Sequence, residues 1–159
     1  MTNIRSAAFV GCYNLTAITI PSGVASIEEG AFGDLYNLTK VYFEGDAPLL
    51  DWEAFADTSA TIYYLPGTAR WGAKFSLRPT VLWTLEALTD DARFGVRNGQ
   101  FGFTFTWASD RVMVVEAATD LAHPIWTPVS TNTLTGGTST FSDPDWASHP
   151  ALLYRVIAR

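Results

Sequence analysis

Apolar positions in the first part of the chain recur at a fixed step. Ile4 and Ile27 stand 23 residues apart, and the same step carries Ala8 to Ala31, Phe9 to Phe32, Asn14 to Asn37, Leu15 to Leu38, Ile18 to Val41 and Ile20 to Phe43. A third copy follows with Leu50, Ala54 and Phe55 in register, then shortens into Ala-Thr-Ile-Tyr-Tyr-Leu-Pro at 60–66. A period of roughly 20 to 50 residues marks a repeat architecture in which each copy buries its apolar face against the next.

Within a copy, the alternation Ile18, Thr19, Ile20 stopped by Pro21, Ser22 and Gly23 predicts a short strand and a turn. Val41 and Phe43 followed by Glu44 and Gly45 repeat it, and Val24 opens a second short extended piece. Ile27, Ala31, Phe32 and Leu35, at offsets of four, five and eight, predict one or two helical turns with an apolar stripe. Strands of one sense at a fixed step predict a ladder. With Ile18 and Ile20 inward, Ala17, Thr19, Lys40 and Tyr42 point outward, and so does Tyr63 between Ile62 and Tyr64. Thr19, Lys40, Tyr42 and Tyr63 are therefore the candidate ligand-binding residues, because tyrosine is a frequent anchor of binding surfaces. Aromatic residues also suit a strand face that binds nothing.

The period is lost after Gly67, although the run 63–83 keeps its aromatics. Residues 1–67 read as repeats and 68–85 as a cap that shields the last apolar edge from water, with Trp71 and Trp83 as its plugs. Residues 86–99, polar and ending in Asn98-Gly99, read as a linker in which Asp90 and Asp91 are solvated. A period of two then takes over. Phe101, Phe103, Phe105 and Trp107 alternate with small or hydroxylated residues, and further strands are predicted at 111–118, 125–129, 138–141 and 152–158. Residues 100–159 thus read as a small antiparallel β-sandwich-like domain, and the whole chain as mainly β, a short repeat solenoid with helical turns followed by that sandwich.

The pieces Ala-Phe-Val-Gly-Cys-Tyr-Asn-Leu-Thr-Ala-Ile-Thr-Ile-Pro at 8–21 and Gly-Val-Ala-Ser-Ile-Glu-Glu-Gly-Ala-Phe at 23–32 resemble the BspA-type leucine-rich repeat of bacterial surface proteins. The resemblance covers about 4–67. It implies a solenoid used for adhesion or for binding a protein or glycan, displayed outside the cell, with no catalytic residues to carry over. Two departures stand out: Leu35 occupies the place of Cys12, and the third copy is about two residues short. The run 63–83 resembles the segment that closes such repeats in environmental bacterial proteins. Val-Glu-Ala-Ala-Thr-Asp-Leu at 115–121, Trp-Thr-Pro-Val at 126–129, Phe-Ser-Asp-Pro-Asp-Trp at 141–146 and Leu-Tyr-Arg-Val at 153–156 resemble a carboxy-terminal module of large secreted bacterial proteins. That module implies an immunoglobulin-like or fibronectin-like accessory form and no particular activity.

Composition narrows the partners. Of 159 residues, 48% are hydrophobic and 16% charged, enough apolar material for buried cores. Sixteen acidic against ten basic residues give a net charge of −6, and no basic cluster exists, which argues against nucleic acid or an anionic membrane surface as a partner. The longest apolar run, 112–115, is too short to insert in a bilayer.

Candidate chemistry adds little. Cys12, the one cysteine, reads as a buried repeat residue, since the next copy has leucine there. Asn14 and Asn37 both open Asn-Leu-Thr sequons but share one repeat position, which favours a structural asparagine in the bend. His123 and His149, each before proline, read as exposed turn residues, and Asp143 and Asp145 as turn carboxylates bonding local amides rather than a calcium site. Glu116 is expected to pair with Arg155 across two strands. No nucleophile, base and orienting group can be assembled, so no catalytic, cofactor or metal residue is assigned. The first copy enters in mid-unit, so the strand at 15–20 has an open edge able to pair with another chain, and the sequence reads as the tail of a longer exported protein. A second expectation is a carbohydrate-binding tail of a larger extracellular hydrolase, working through exposed Trp107, Trp126 or Trp146.

Overall fold

The computed structural model describes residues 2–51 and 53–159, and the chain divides into two compact units, Met1–Thr84 and Leu85–Arg159. Both are built of strands, and the described residues contain no α-helix.

Among the described residues of the first unit eight strands follow one another: β1 Thr2–Ile4, β2 Ala17–Ile20, β3 Val24–Ile27, β4 Lys40–Phe43, β5 Leu49–Leu50, β6 Thr61–Tyr64, β7 Lys74–Phe75 and β8 Arg78–Leu82. They sort into two ladders. One runs β1-β3-β5; the other runs β2-β4-β6-β8-β7, parallel except for the final β7–β8 pair. The 23-residue step is therefore the chain length that carries a strand to the neighbouring place in its ladder. Identical positions stack upon one another. Ile18 pairs with Val41 and Val41 with Ile62, while the rings of Phe9, Phe32 and Phe55 stack at 4.7 and 4.8 Å between centroids, the spacing of adjacent strands. Ile27, Ala31, Phe32, Leu35, Leu38, Val41 and Ile62 are sealed inside. Where the coils meet, Gly45 lies on the backbone of Ser22, so close that a Cβ would stand 2.7 Å from the Ser22 Cα.

The helical turns expected between strands do not form. Gly11, Asp34 and Asp57 hold one repeat position, and all three have positive φ (87°, 59° and 53°). Ala7 and Gly30 share a second such position, at 56° and 61°. A left-handed residue breaks a right-handed helix. The amides turn to the next copy instead: Phe9 N–H donates to Ala31 O (3.0 Å), Phe32 N–H to Ala54 O (2.9 Å) and Asp34 N–H to Ala56 O (3.2 Å).

Three further expectations for this unit need correction. Cys12 is exposed, not buried: its counterpart Leu35 is covered by copies on both sides, whereas Cys12 has one on a single side. A strand, β1, does precede the first copy, but it joins the other ladder, so β2 still ends its own sheet among the described residues. Trp71 covers the core beside Phe43 (4.9 Å), Phe75 (4.9 Å) and Tyr64 (5.2 Å), as a plug should, but Trp83 lies with the outward rings instead.

The second unit contains β9 Glu86–Leu88, β10 Gly95–Arg97, β11 Gln100–Thr106, β12 Val112–Ala118, β13 Thr127–Thr133, β14 Thr138–Asp143 and β15 Leu153–Ala158. Every pairing is antiparallel. β10, β11 and β14 form one sheet with β9 also on β11, and β13-β12-β15 form the other. Phe103, Phe105 and Phe141 of the first sheet share a core with Met113, Val115, Tyr154 and Val156 of the second. The segment 86–99 is no linker here: it supplies two strands of this sheet, and Asp91 folds it back by accepting the amides of Arg93 and Phe94 at 2.9 Å each. The expected Glu116–Arg155 pair is present, at 2.6 Å between Glu116 Oε2 and an Arg155 guanidinium nitrogen.

Candidate functional site

The outward row of the first unit follows from parallel register. Thr19 pairs with Tyr42, Tyr42 with Tyr63 and Tyr63 with Val81, so four strands place one side chain each in line. Because side chains alternate, the flanking Ile20, Val41, Phe43 and Ile62 turn into the core and hold the row rigidly from behind. Lys40 stands exposed one outward position away on β4.

The rings of this row touch. Tyr42 and Tyr63 stack at 4.9 Å with 27° between planes, and Trp83 leans over Tyr42 at 4.6 Å and 43°. Thr19, Lys40, Tyr42 and Tyr63 are thus brought onto one face, as their spacing implies. Trp83 and the exposed Val81 join them. The signal for Trp83 was its place two residues beyond Val81 on the same strand face, which the reading of 68–85 as a cap hid.

This geometry has a chemical consequence. Tyr42, Tyr63 and Trp83 form one contiguous aromatic patch beside an ammonium and a threonine hydroxyl. Such a patch offers apolar contact and hydrogen bonding side by side. Among the described residues, no three His, Cys, Asp or Glu side chains gather to hold a metal ion.

The other sequence candidates lie elsewhere. Asn37 donates through Nδ2 to Tyr13 O (2.8 Å), fastening one copy to the previous one. Asp143 Oδ1 accepts the Asp145 amide (2.8 Å), and its Oδ2 accepts the Tyr154 hydroxyl (2.6 Å). Burial, then the Asp143 carboxylate, raises the Tyr154 phenol above its ordinary value of 10.0. The tryptophans of the second unit are not freely exposed, contrary to expectation. Trp107 packs on the core, Trp126 carries the Arg155 guanidinium 4.4 Å from its ring centre, and Trp146 donates to Gly99 O at 3.0 Å.

A feature the sequence did not reveal is an apolar cleft of about 410 Å³ in the second unit, between β9, β11 and β15. Leu85, Ala87, Phe94, Phe101, Leu153 and Tyr154 are among its walls, and half of them come from, or adjoin, the stretch read as a linker.

Residues 1–75 match the family model of the BspA type leucine rich repeat region, in six copies. No curated protein and no solved structure matches the chain. The match supports the leucine-rich repeat for the first unit. The module resemblance drawn for the second unit has no counterpart in it.

Proposed function

We propose, taking a first unit of BspA-type leucine-rich repeats as the premise, that this chain is a non-enzymatic binding module. Its ligand surface is the outward strand row of Thr19, Lys40, Tyr42 and Tyr63, extended by Trp83. Repeats of this family commonly serve surface adhesion and binding, and the reading places the module on an exported protein displayed at the cell surface. In this reading the unit behind the row is a short solenoid, supported by its two parallel ladders, and the second unit is a β-sandwich that serves as spacer or anchor.

The observation that carries the reading is the ring contact of Tyr42 with Tyr63 and Trp83 on an open strand face. It also favours a protein ligand over a glycan. Sugar rings stack on free aromatic faces, and here part of the aromatic surface of Tyr42, Tyr63 and Trp83 is engaged by a neighbouring ring. A polypeptide can use the rest of the patch and place an acidic group on Lys40. The same argument weighs against the carbohydrate-binding tail, since Trp107, Trp126 and Trp146 are each engaged within their own unit.

Peptide and glycan arrays probed with the labelled chain test this. Binding is expected on peptides, and Tyr42→Ala with Tyr63→Ala is expected to abolish it while the fold persists, the lost ring pair costing about 0.5–1.5 kcal/mol beyond the area its rings bury. Binding that survives the double change rejects the surface.

A further inference from the structure

The outer face of the sheet β10-β11-β14 carries a depression that follows from strand register. Phe101, Phe103 and Phe105 of β11 turn toward the core, so Gln100 and Gly102 turn outward. Gly102 faces Gly95 on β10 and Ser142 on β14, which leaves the middle row of this face almost bare of side chains. A Cβ on Gly102 would stand 2.8 Å from Phe141 O and 3.8 Å from Arg93 O, so the turn ahead of β10 overhangs the row. One row along, the two-residue hairpin Asn98-Gly99, with φ of 50° and 79°, sets Arg97 opposite Gln100. The result is a cavity of about 420 Å³ between Arg93 of the turn, Arg97 and Gln100 of the hairpin, and Thr140 and Ser142 of β14.

The chemistry of its walls is one-sided. In a chain with 16 acidic residues, no carboxylate lines this cavity, yet two arginines do. Among the described residues the ion pairs are Glu116–Arg155 and Asp120–His123, so neither the Arg93 nor the Arg97 guanidinium is neutralised in one. The carboxylate of Asp91, two residues from Arg93, instead accepts the amides of Arg93 and Phe94. Gln100 Oε1 accepts the Ser142 hydroxyl at 2.6 Å, which leaves the Gln100 amide nitrogen to donate. A cavity so rich in donors calls for a ligand rich in acceptors, and the planar fork of arginine suits an oxyanion above all.

We infer that this cavity binds a small hydroxylated carboxylic acid, with Arg93 and Arg97 on its carboxylate and Gln100, Thr140 and Ser142 toward its hydroxyls. The volume lies at the small end of ligand sites, which suits a single sugar acid. Phe141, the aromatic residue among the walls, belongs to the core, so the cavity offers no ring platform to an apolar or aromatic ligand. Hydroxyl and amide groups around the arginines favour a polyhydroxylated molecule over bare phosphate. The site lies wholly in the second unit and does not depend on the strand row proposed above.

Titration of the ¹⁵N-labelled chain with D-glucuronate, D-glucose and inorganic phosphate, at low ionic strength so that exposed charges are not screened, tests it. Glucuronate is expected to shift the amides of Arg93, Gly95, Arg97, Gln100 and Ser142. Glucose, which keeps the hydroxyls and lacks the charge, should bind about tenfold or more weaker. Arg93→Gln and Arg97→Gln should each weaken glucuronate by about the same factor while the rest of the spectrum stays in place. Arg111→Gln removes an exposed arginine of the same unit outside the cavity and should leave the affinity unchanged. Glucuronate shifts that avoid these residues overturn the inference, as do equal affinity for glucose, tighter binding of phosphate, and full affinity in both cavity variants.

Discussion

The two units use strands in opposite ways. In the first, the neighbour of a residue is its own counterpart one copy along, as with Phe9, Phe32 and Phe55. In the second, neighbours come from distant stretches that are not copies of one another: Phe103 meets Phe141, and Glu116 meets Arg155. A repeated environment makes a substitution propagate along a stack. A one-off environment confines it to a pair, and the following outcomes, from the largest effect to the smallest, separate the two.

Phe32→Ala opens a void between two stacked rings and is expected to cost about 3–5 kcal/mol, read by urea unfolding. A loss under about 1 kcal/mol would mean that the stack does not hold the first unit together. Gly45→Ala drives a Cβ into the Ser22 backbone and is expected to cost about 1–3 kcal/mol, whereas Gly23→Ala, which meets nothing within 4 Å, should change little. Equal effects would contradict the close coil contact.

In the second unit, Arg155→Ala leaves the Glu116 carboxylate, 8% exposed, without its partner. The expected loss is about 1–3 kcal/mol, discounted because Arg155 itself is half exposed, and Glu116→Gln should recover part of it. Tyr154 supplies the smallest effect at neutral pH. Its phenol is held above the ordinary 10.0 in the folded state, so the folded state keeps the proton more tightly than the unfolded one. The stabilisation is complete below pH 10.0 and is lost as pH rises through the folded value. Tyr154→Phe should therefore flatten the decline in stability above that pH, as followed by thermal melts.

The same contrast explains what the sequence made legible. A 23-residue step shows at once which residues stack, so the core of the first unit and the row of Thr19, Tyr42 and Tyr63 could be read directly. The turns could not, because apolar spacing says nothing of a left-handed Asp34 or Asp57. In the second unit the alternation of Phe101, Phe103 and Phe105 marked β11, and even the Glu116–Arg155 register was reachable. β9 and β10 were missed because each is three residues long and mostly exposed. β13 extends well past Val129 into polar Ser130, Thr131 and Asn132, since as an edge strand it needs few apolar side chains and tolerates Pro128. Trp83 was misplaced because the reading of 68–85 as a cap hid β8, whose alternation carries the outward side on from Val81 to Trp83.

The central claim is that ligand meets the outward row of the repeats and not the apolar cleft of the second unit. Titration of the ¹⁵N-labelled chain with an array-selected peptide, followed by amide chemical shifts, tests it most directly. The account predicts perturbations centred on Thr19, Lys40, Tyr42, Tyr63 and Trp83; perturbations centred instead on Phe94, Phe101 and Tyr154 would contradict it.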